Sequence, residues 1–170
     1  VYSIAVLLEL GLSAEIVLVR DDRYRISKTG HFLLTDELTQ VNLNFVNDVC
    51  YQAMFNLKDS LQQQRPMGLK VFGEWGTVYE GLSALPVQVQ KSWFDFDHYY
   101  SDMAFPKVLP LVLSTKPKLI LDVGGNTGEW AIRCANYSED VRVIILDLPG
   151  QLEKAMQNVQ SHDLGERITG

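Results

Sequence analysis

The sequence has few cysteines, few histidines, no cluster of basic charge and no long apolar run. The two cysteines, Cys50 and Cys134, stand 84 residues apart. Neither a disulfide framework nor a zinc site is built on such a spacing, and a reduced, cytoplasmic setting is expected. His31, His98 and His162 are scattered and form no pair at metal-ligating spacing. Lys and Arg number 15 against 21 Asp and Glu, a formal net charge of −6. This balance argues against nucleic acid as the main partner, because phosphate binding needs clustered Lys and Arg. The longest uncharged apolar runs, such as Ile4–Leu8 and Val108–Leu113, fall far short of the roughly 18 residues a membrane-spanning helix needs. No basic segment followed by an apolar stretch and a cleavage site opens the chain. Val1 lies inside an apolar helical pattern, so a cut start is expected rather than a signal peptide.

What is present is an ordinary globular composition: 170 residues, 46% hydrophobic and 21% charged. That length suits one domain or two small ones. The pattern changes near Pro117. Before it, Tyr2–Leu10 reads as a helix stopped by Gly11, and Glu15–Arg20 and Arg23–Ile26 read as a hairpin about Asp21-Asp22. Ser27 is placed to cap a short helix through Leu34. Asp36 opens a long helical stretch, Leu38–Gln64, whose apolar residues Val46, Val49, Cys50, Ala53, Met54, Leu57 and Leu61 share one face. Further helices are punctuated by Thr77 and by Ser83–Pro86, and another is expected over Pro106–Ser114.

After Pro117, strand and helix alternate. Lys118–Val123 and Val141–Asp147 are β-prone runs, the first expected to be buried on both faces, and a helix follows each. The alternation implies parallel βαβ units of a doubly wound α/β sheet. Gly124-Gly-Asn-Thr-Gly128 falls directly between the first strand and its helix. Glycines there let the backbone pass close to a ligand, and the helix N-terminus supplies free N–H groups and a positive dipole end. Asp147 ends the second strand, 19 residues past Gly128. A carboxylate there accepts hydrogen bonds from both hydroxyls of an adenosine ribose. The dinucleotide pattern Gly-x-Gly-x-x-Gly fails at Asn126 and Glu129, and no Walker A loop is present. The pattern acid-x-Gly-x-Gly-x-Gly is met by Asp122, Gly124 and Gly128, with Asn126 in place of the central glycine. Asn is the non-glycine residue most tolerant of a positive φ angle.

Residues Leu119–Leu148 resemble motifs I and II of class I S-adenosylmethionine-dependent methyltransferases. "Leu-Asp-Val-Gly-Gly-Asn-Thr-Gly" and "Leu-Asp-Leu-Pro-Gly" are similar to the plant-type, or family 2, O-methyltransferases, relatives of the acetylserotonin methyltransferases. The resemblance implies a mainly helical winged-helix dimerisation part over residues 1–36, a helical linker with dimerisation helices over 37–117, and the first βαβα part of a Rossmann-like sheet over 118–170. It implies S-adenosyl-L-methionine as cofactor and a hydroxylated small molecule as methyl acceptor. Asp122, Gly124, Gly125, Asn126 and Gly128 would border the methionine part, Asp147 the ribose and Leu148 the adenine. Tyr99-x-x-x-Met103 resembles a segment that lies over the cofactor. In the family the base that deprotonates the acceptor is a histidine on a later segment, so no catalytic base is assigned here, and His162 is not given that role.

Two other readings compete. One is a winged-helix regulator, or a catalytically silent cofactor-binding protein; the other, a nicotinamide-dependent oxidoreductase, is disfavoured by Asn126 and Glu129. Residues 1–40 carry four Lys or Arg and six Asp or Glu, which favours a homodimer over DNA contact. Leu7, Leu10, Leu12, Phe45 and Val49 are the candidate contributors. The 53 residues from Lys118 to Gly170 are expected to form two strands and two helices of a larger sheet, hence a truncated chain.

Overall fold

The computed structural model describes all 170 residues, Val1–Gly170. Helix α1 spans Tyr2–Ser13 and leads into strands β1 (Val17–Arg20) and β2 (Arg23–Ile26), which pair antiparallel from Val17↔Ile26 to Arg20↔Arg23. The turn residues Asp21 and Asp22 have φ of 52° and 54°, the mirror-image turn that suits the twist of a two-residue hairpin. Gly11 does not stop α1. It lies inside the helix, where a β-carbon would come within 2.9 Å of Val17 Cγ2, so its bare backbone lets the hairpin close against the helix. Ser27 caps α2 (Lys28–Thr35) by accepting the Gly30 N–H at 3.0 Å.

Asp36 caps α3 (Glu37–Phe45), accepting the Thr39 N–H at 2.9 Å. The expected single helix to Gln64 is broken. The chain widens into a π turn at Val46–Tyr51, tightens into a 3₁₀ turn at Ala53–Asn56, and resumes as α4 (Leu57–Gln63). Asp48 ties the π turn to the chain beyond, taking hydrogen bonds from Gln88 and Ser92. Such local widening is the usual way a helix accommodates a competing tertiary contact. The short helix α5 (Val78–Gly81) precedes α6, which runs for 27 residues from Val87 to Leu113. The sequence suggested a separate helix from Pro106. Pro106 and Pro110 instead lie inside α6, exposed and one turn apart. Their exposed rings crowd no packed neighbour, which lowers the penalty of an internal proline.

The remaining elements are β3 (Leu119–Val123), α7 (Glu129–Tyr137), β4 (Arg142–Leu146), α8 (Pro149–Ser161) and β5 (Ile168–Thr169). The sheet is parallel in the order β3-β4-β5, with Leu119↔Arg142 and Val143↔Ile168 in register. The third strand, two residues long, was not anticipated. Val143, Ile145 and Ile168 point to one face, where they meet Ala131, Cys134 and Ala135 of α7, Ala155 and Val159 of α8, and Leu109 and Leu113 of α6. Burial of β3 on both faces is not observed: Leu119, Leu121 and Val123 are exposed, as is Leu146 on β4. Both crossovers step in the same direction across the sheet, so by the handedness rule α7 and α8 cover the same face.

In the N-terminal part Leu7 and Leu10 are exposed. Phe45 and Val49 are used within the chain instead: Phe45 stacks on Phe96 at 4.3 Å between centroids, and Val49 packs on the cluster of Leu82, Leu85 and Val89.

Candidate functional site

The chain leaves β3 at Val123 and turns into α7 through the glycine-rich loop. Three alternate residues are left-handed: Gly124 (φ 73°), Asn126 (φ 53°) and Gly128 (φ 80°). The asparagine therefore takes the conformation that a central glycine would supply. Gly125 is needed for a different reason, since a β-carbon there would lie 2.8 Å from both Asp122 Oδ2 and Ile145 Cγ2. Gly124 receives no such crowding, with nothing within 4 Å of a β-carbon.

Asp147, at the end of β4, holds the loop. It accepts the Asn126 N–H at 2.7 Å on one carboxylate oxygen and the Leu148 N–H at 2.7 Å on the other. A carboxylate has about four lone-pair directions, so each oxygen can still accept a hydroxyl donor. From α8, Asn158 donates to the Thr127 carbonyl at 3.0 Å. Asp122 points under the loop. Its Oδ2 is buried without a hydrogen-bond partner, and burial, assisted by the negative charge of Asp147, pushes its pKa up.

Helix α6 covers this turn. Asp97 accepts from the Asn126 side-chain amide at 3.3 Å, and His98 Nε2 and Thr127 Oγ1 are hydrogen-bonded at 2.9 Å. Burial raises the pKa of Asp97, opposed by the indole of Trp93 and the charge of His98. Two cavities flank the loop. One, of about 370 Å³, is bordered by Asp122, Gly125, Thr127 and Trp130 together with His98, Ser101 and Phe105 of α6. The other, of about 180 Å³, is bordered by Asp147, Leu148, Gln151, Tyr79, Leu82 and Trp93. Asp97, Gly124 and Asn126 border both. Gln151 is only 4% exposed, and both polar atoms of its amide lack partners.

The structure thus gathers Asp122, Gly124, Gly125, Asn126, Asp147 and Leu148 around one pair of cavities, with Gly128 at the N-cap of α7. It does not bring Tyr99 or Met103 there. Tyr99 lines a separate hollow with Glu37 and Lys91, and Met103 is 61% exposed. The residues of α6 that do face the loop are Asp97, Ser101 and Phe105, with His98 beside them on Thr127 and Trp93 one turn earlier. Tyr99 and Met103 are displaced by two residues, about 200° around the helix. The four-residue spacing of Trp93, Asp97, Ser101 and Phe105 was a readable signal once one continuous helix was assumed. His98 is mid-helix and at the loop. His162 follows the last turn of α8, with Nδ1 2.9 Å from the Asn158 carbonyl, and borders neither cavity.

No protein-family model matches the chain, and no curated protein does. Solved structures do. SibL, an S-adenosylmethionine-dependent methyltransferase in its apo form, is 26% identical, covering 99% of this chain and 51% of its own, at a TM-score of 0.60. This is part of a methyltransferase fold. PigF with SAH is 19% identical over 99% of this chain and 51% of its own, TM-score 0.70. NcsB1, an O-methyltransferase from neocarzinostatin biosynthesis, was solved with S-adenosylmethionine and 2-hydroxy-5-methyl naphthoic acid. It is 18% identical over 98% of this chain and 52% of its own, TM-score 0.71. The chain spans about half the length of these structures. No helix is long and apolar enough to cross a membrane.

The residues around the loop fit an adenosine-bearing sulfonium cofactor. Asp147 keeps acceptor capacity for a diol, Asp122 holds an orphaned carboxylate oxygen, and none of the five ion pairs in the chain uses Asp97, Asp122 or Asp147.

Proposed function

We propose that this chain is the cofactor-holding part of an S-adenosylmethionine-dependent O-methyltransferase that methylates a hydroxyl of a small molecule. The observation that carries the reading is the set of left-handed turns at 124, 126 and 128, tied by the Asn126 N–H to Asp147. Asn126 departs from the motif in sequence and conforms to it in backbone. In this reading Asp122 and the Gly124–Gly128 loop border the methionine part, Asp147 takes the ribose hydroxyls and Leu148 lies beside the adenine.

The cofactor supplies a methyl group on a positively charged sulfur, already activated for in-line attack by an oxygen nucleophile. The chain's own share is therefore to bind, orient and exclude water. Helix α6 serves the last purpose, laying Asp97, Ser101 and Phe105 across the mouth of the loop. No residue here is assigned the proton transfer. The finer reading is a plant-type enzyme related to the acetylserotonin methyltransferases, cytoplasmic and homodimeric, divided at residues 36 and 117. It is supported by the helix–hairpin–helix order of α1 to α2, which resembles the wing end of a winged-helix module, and by the exposed leucines of α1.

Calorimetric titration tests the reading. S-adenosylhomocysteine is expected to bind and NADH is not; the reverse result removes the proposal. Asp147→Ala is expected to weaken S-adenosylhomocysteine by one to two orders of magnitude, about 1.5–3 kcal/mol for hydrogen bonds to a charged group. An unchanged dissociation constant would take Asp147 out of the site.

A further inference from the structure

Three carboxylates, Asp97, Asp122 and Asp147, surround Asn126, and no Lys or Arg in the chain pairs with any of them. Asn126 is held between two of them: its backbone N–H goes to Asp147 and its side-chain amide to Asp97. The two cavities meet at Asp97, Gly124 and Asn126. Of those three residues only Asp97 carries a charge. The larger cavity holds Asp122 and the loop; the smaller holds Asp147 and Leu148. A ligand lying across both has its two ends in different cavities and its middle beside the Asp97 carboxylate.

We infer that Asp97, supplied by the covering helix α6, is the counter-ion for a positively charged centre in the middle of the ligand. The inference rests on the cofactor reading above. The sulfonium atom of S-adenosylmethionine lies between the amino-acid chain and the ribose, so the charge of the cofactor falls where the cavities join. Asp97 contributes from outside the βαβ unit, and none of the glycine-loop pattern reveals it. The chemical consequence is discrimination. The methylated cofactor is cationic at sulfur and the spent thioether is neutral there, so an anionic wall at this point holds the first and releases the second.

Binding by the full chain distinguishes this role from a merely structural one. Three ligands are titrated calorimetrically into the parent and into Asp97→Asn. These are S-adenosylmethionine, sinefungin (an ammonium group near the sulfonium position) and S-adenosylhomocysteine. The variant keeps the size of the side chain and an acceptor for Asn126. It is expected to lose about tenfold to a hundredfold in affinity for the two ligands that are cationic at the centre, and to bind the thioether within about twofold of the parent. Asp102→Asn changes a carboxylate on the same helix that pairs with Arg133 and borders neither cavity. It is expected to leave the preference for cationic ligands as in the parent. Equal losses for all three ligands in Asp97→Asn, or no loss at all, would overturn the inference while leaving the cofactor reading standing. A parent protein that binds none of the three would overturn both.

Discussion

Adjacent glycines at 124 and 125 are required for different physical reasons, and substitution separates them. At Gly125 the backbone is not left-handed, but a β-carbon would sit 2.8 Å from Asp122 Oδ2 and 2.8 Å from Ile145 Cγ2. Ile145 is fully buried and has nowhere to move. Overpacking of this kind costs about 1–3 kcal/mol, against which the stiffer unfolded chain returns about 0.4–1 kcal/mol. Gly125→Ala should therefore lose about 1–2 kcal/mol, a fall in Tm of about 2–8 °C for a chain of this size. At Gly124 there is open space, but φ is 73°, so Gly124→Ala is strained by conformation alone. Asparagine discriminates between the two. Gly124→Asn should recover most of what Gly124→Ala loses, because Asn accepts the left-handed region as it does at position 126. Gly125→Asn should be at least as damaging as Gly125→Ala. Thermal unfolding followed by circular dichroism reads all four. A Gly125→Ala variant melting within about 1 °C of the parent, or Gly124→Asn as harmful as Gly124→Ala, would refute the steric assignment.

Replacing the unpartnered amide of Gln151 by Leu should stabilise the ligand-free protein by about 1 kcal/mol in urea titration; a loss of stability would mean the amide is satisfied. Asp122 ionises later in the folded chain than in the unfolded one, because its folded pKa is raised above the ordinary 3.8. The folded state thus binds more protons in that window and is penalised as pH rises through it. The stability of Asp122→Asn relative to the parent should therefore grow between about pH 4 and pH 7, and a constant difference in urea titrations at the two pH values would sink the argument. The Cys134 thiol is buried and pushed up to about 12 by burial and the charge of Asp122. A thiol reagent at neutral pH should label Cys50 first and reach Cys134 only on unfolding; equal rates in the native protein would contradict this burial.

The local chemistry of this protein is written in short stretches of sequence. The hairpin about Asp21-Asp22, the caps at Ser27 and Asp36, the strand–loop–helix from Leu119 and the carboxylate at Asp147 each depend on residues within a few positions of one another. Even the left-handed backbone at Asn126 follows from residue type. Tertiary contacts decided the rest. The helix expected to run to Gln64 is broken at a π turn that Gln88 and Ser92 anchor from 40 and 44 residues away. Helix α6 continues through two prolines because they face solvent, and that continuity determines which of its faces meets the loop. Hence Asp97 and Ser101 stand where Tyr99 and Met103 were expected: a shift of two residues is invisible in composition but turns a side chain to the far side of a helix. The bare face of the sheet has the same origin. Apolar strands signal burial, but which side is covered depends on the direction in which the crossovers wind, a property of the assembled chain rather than of any one segment.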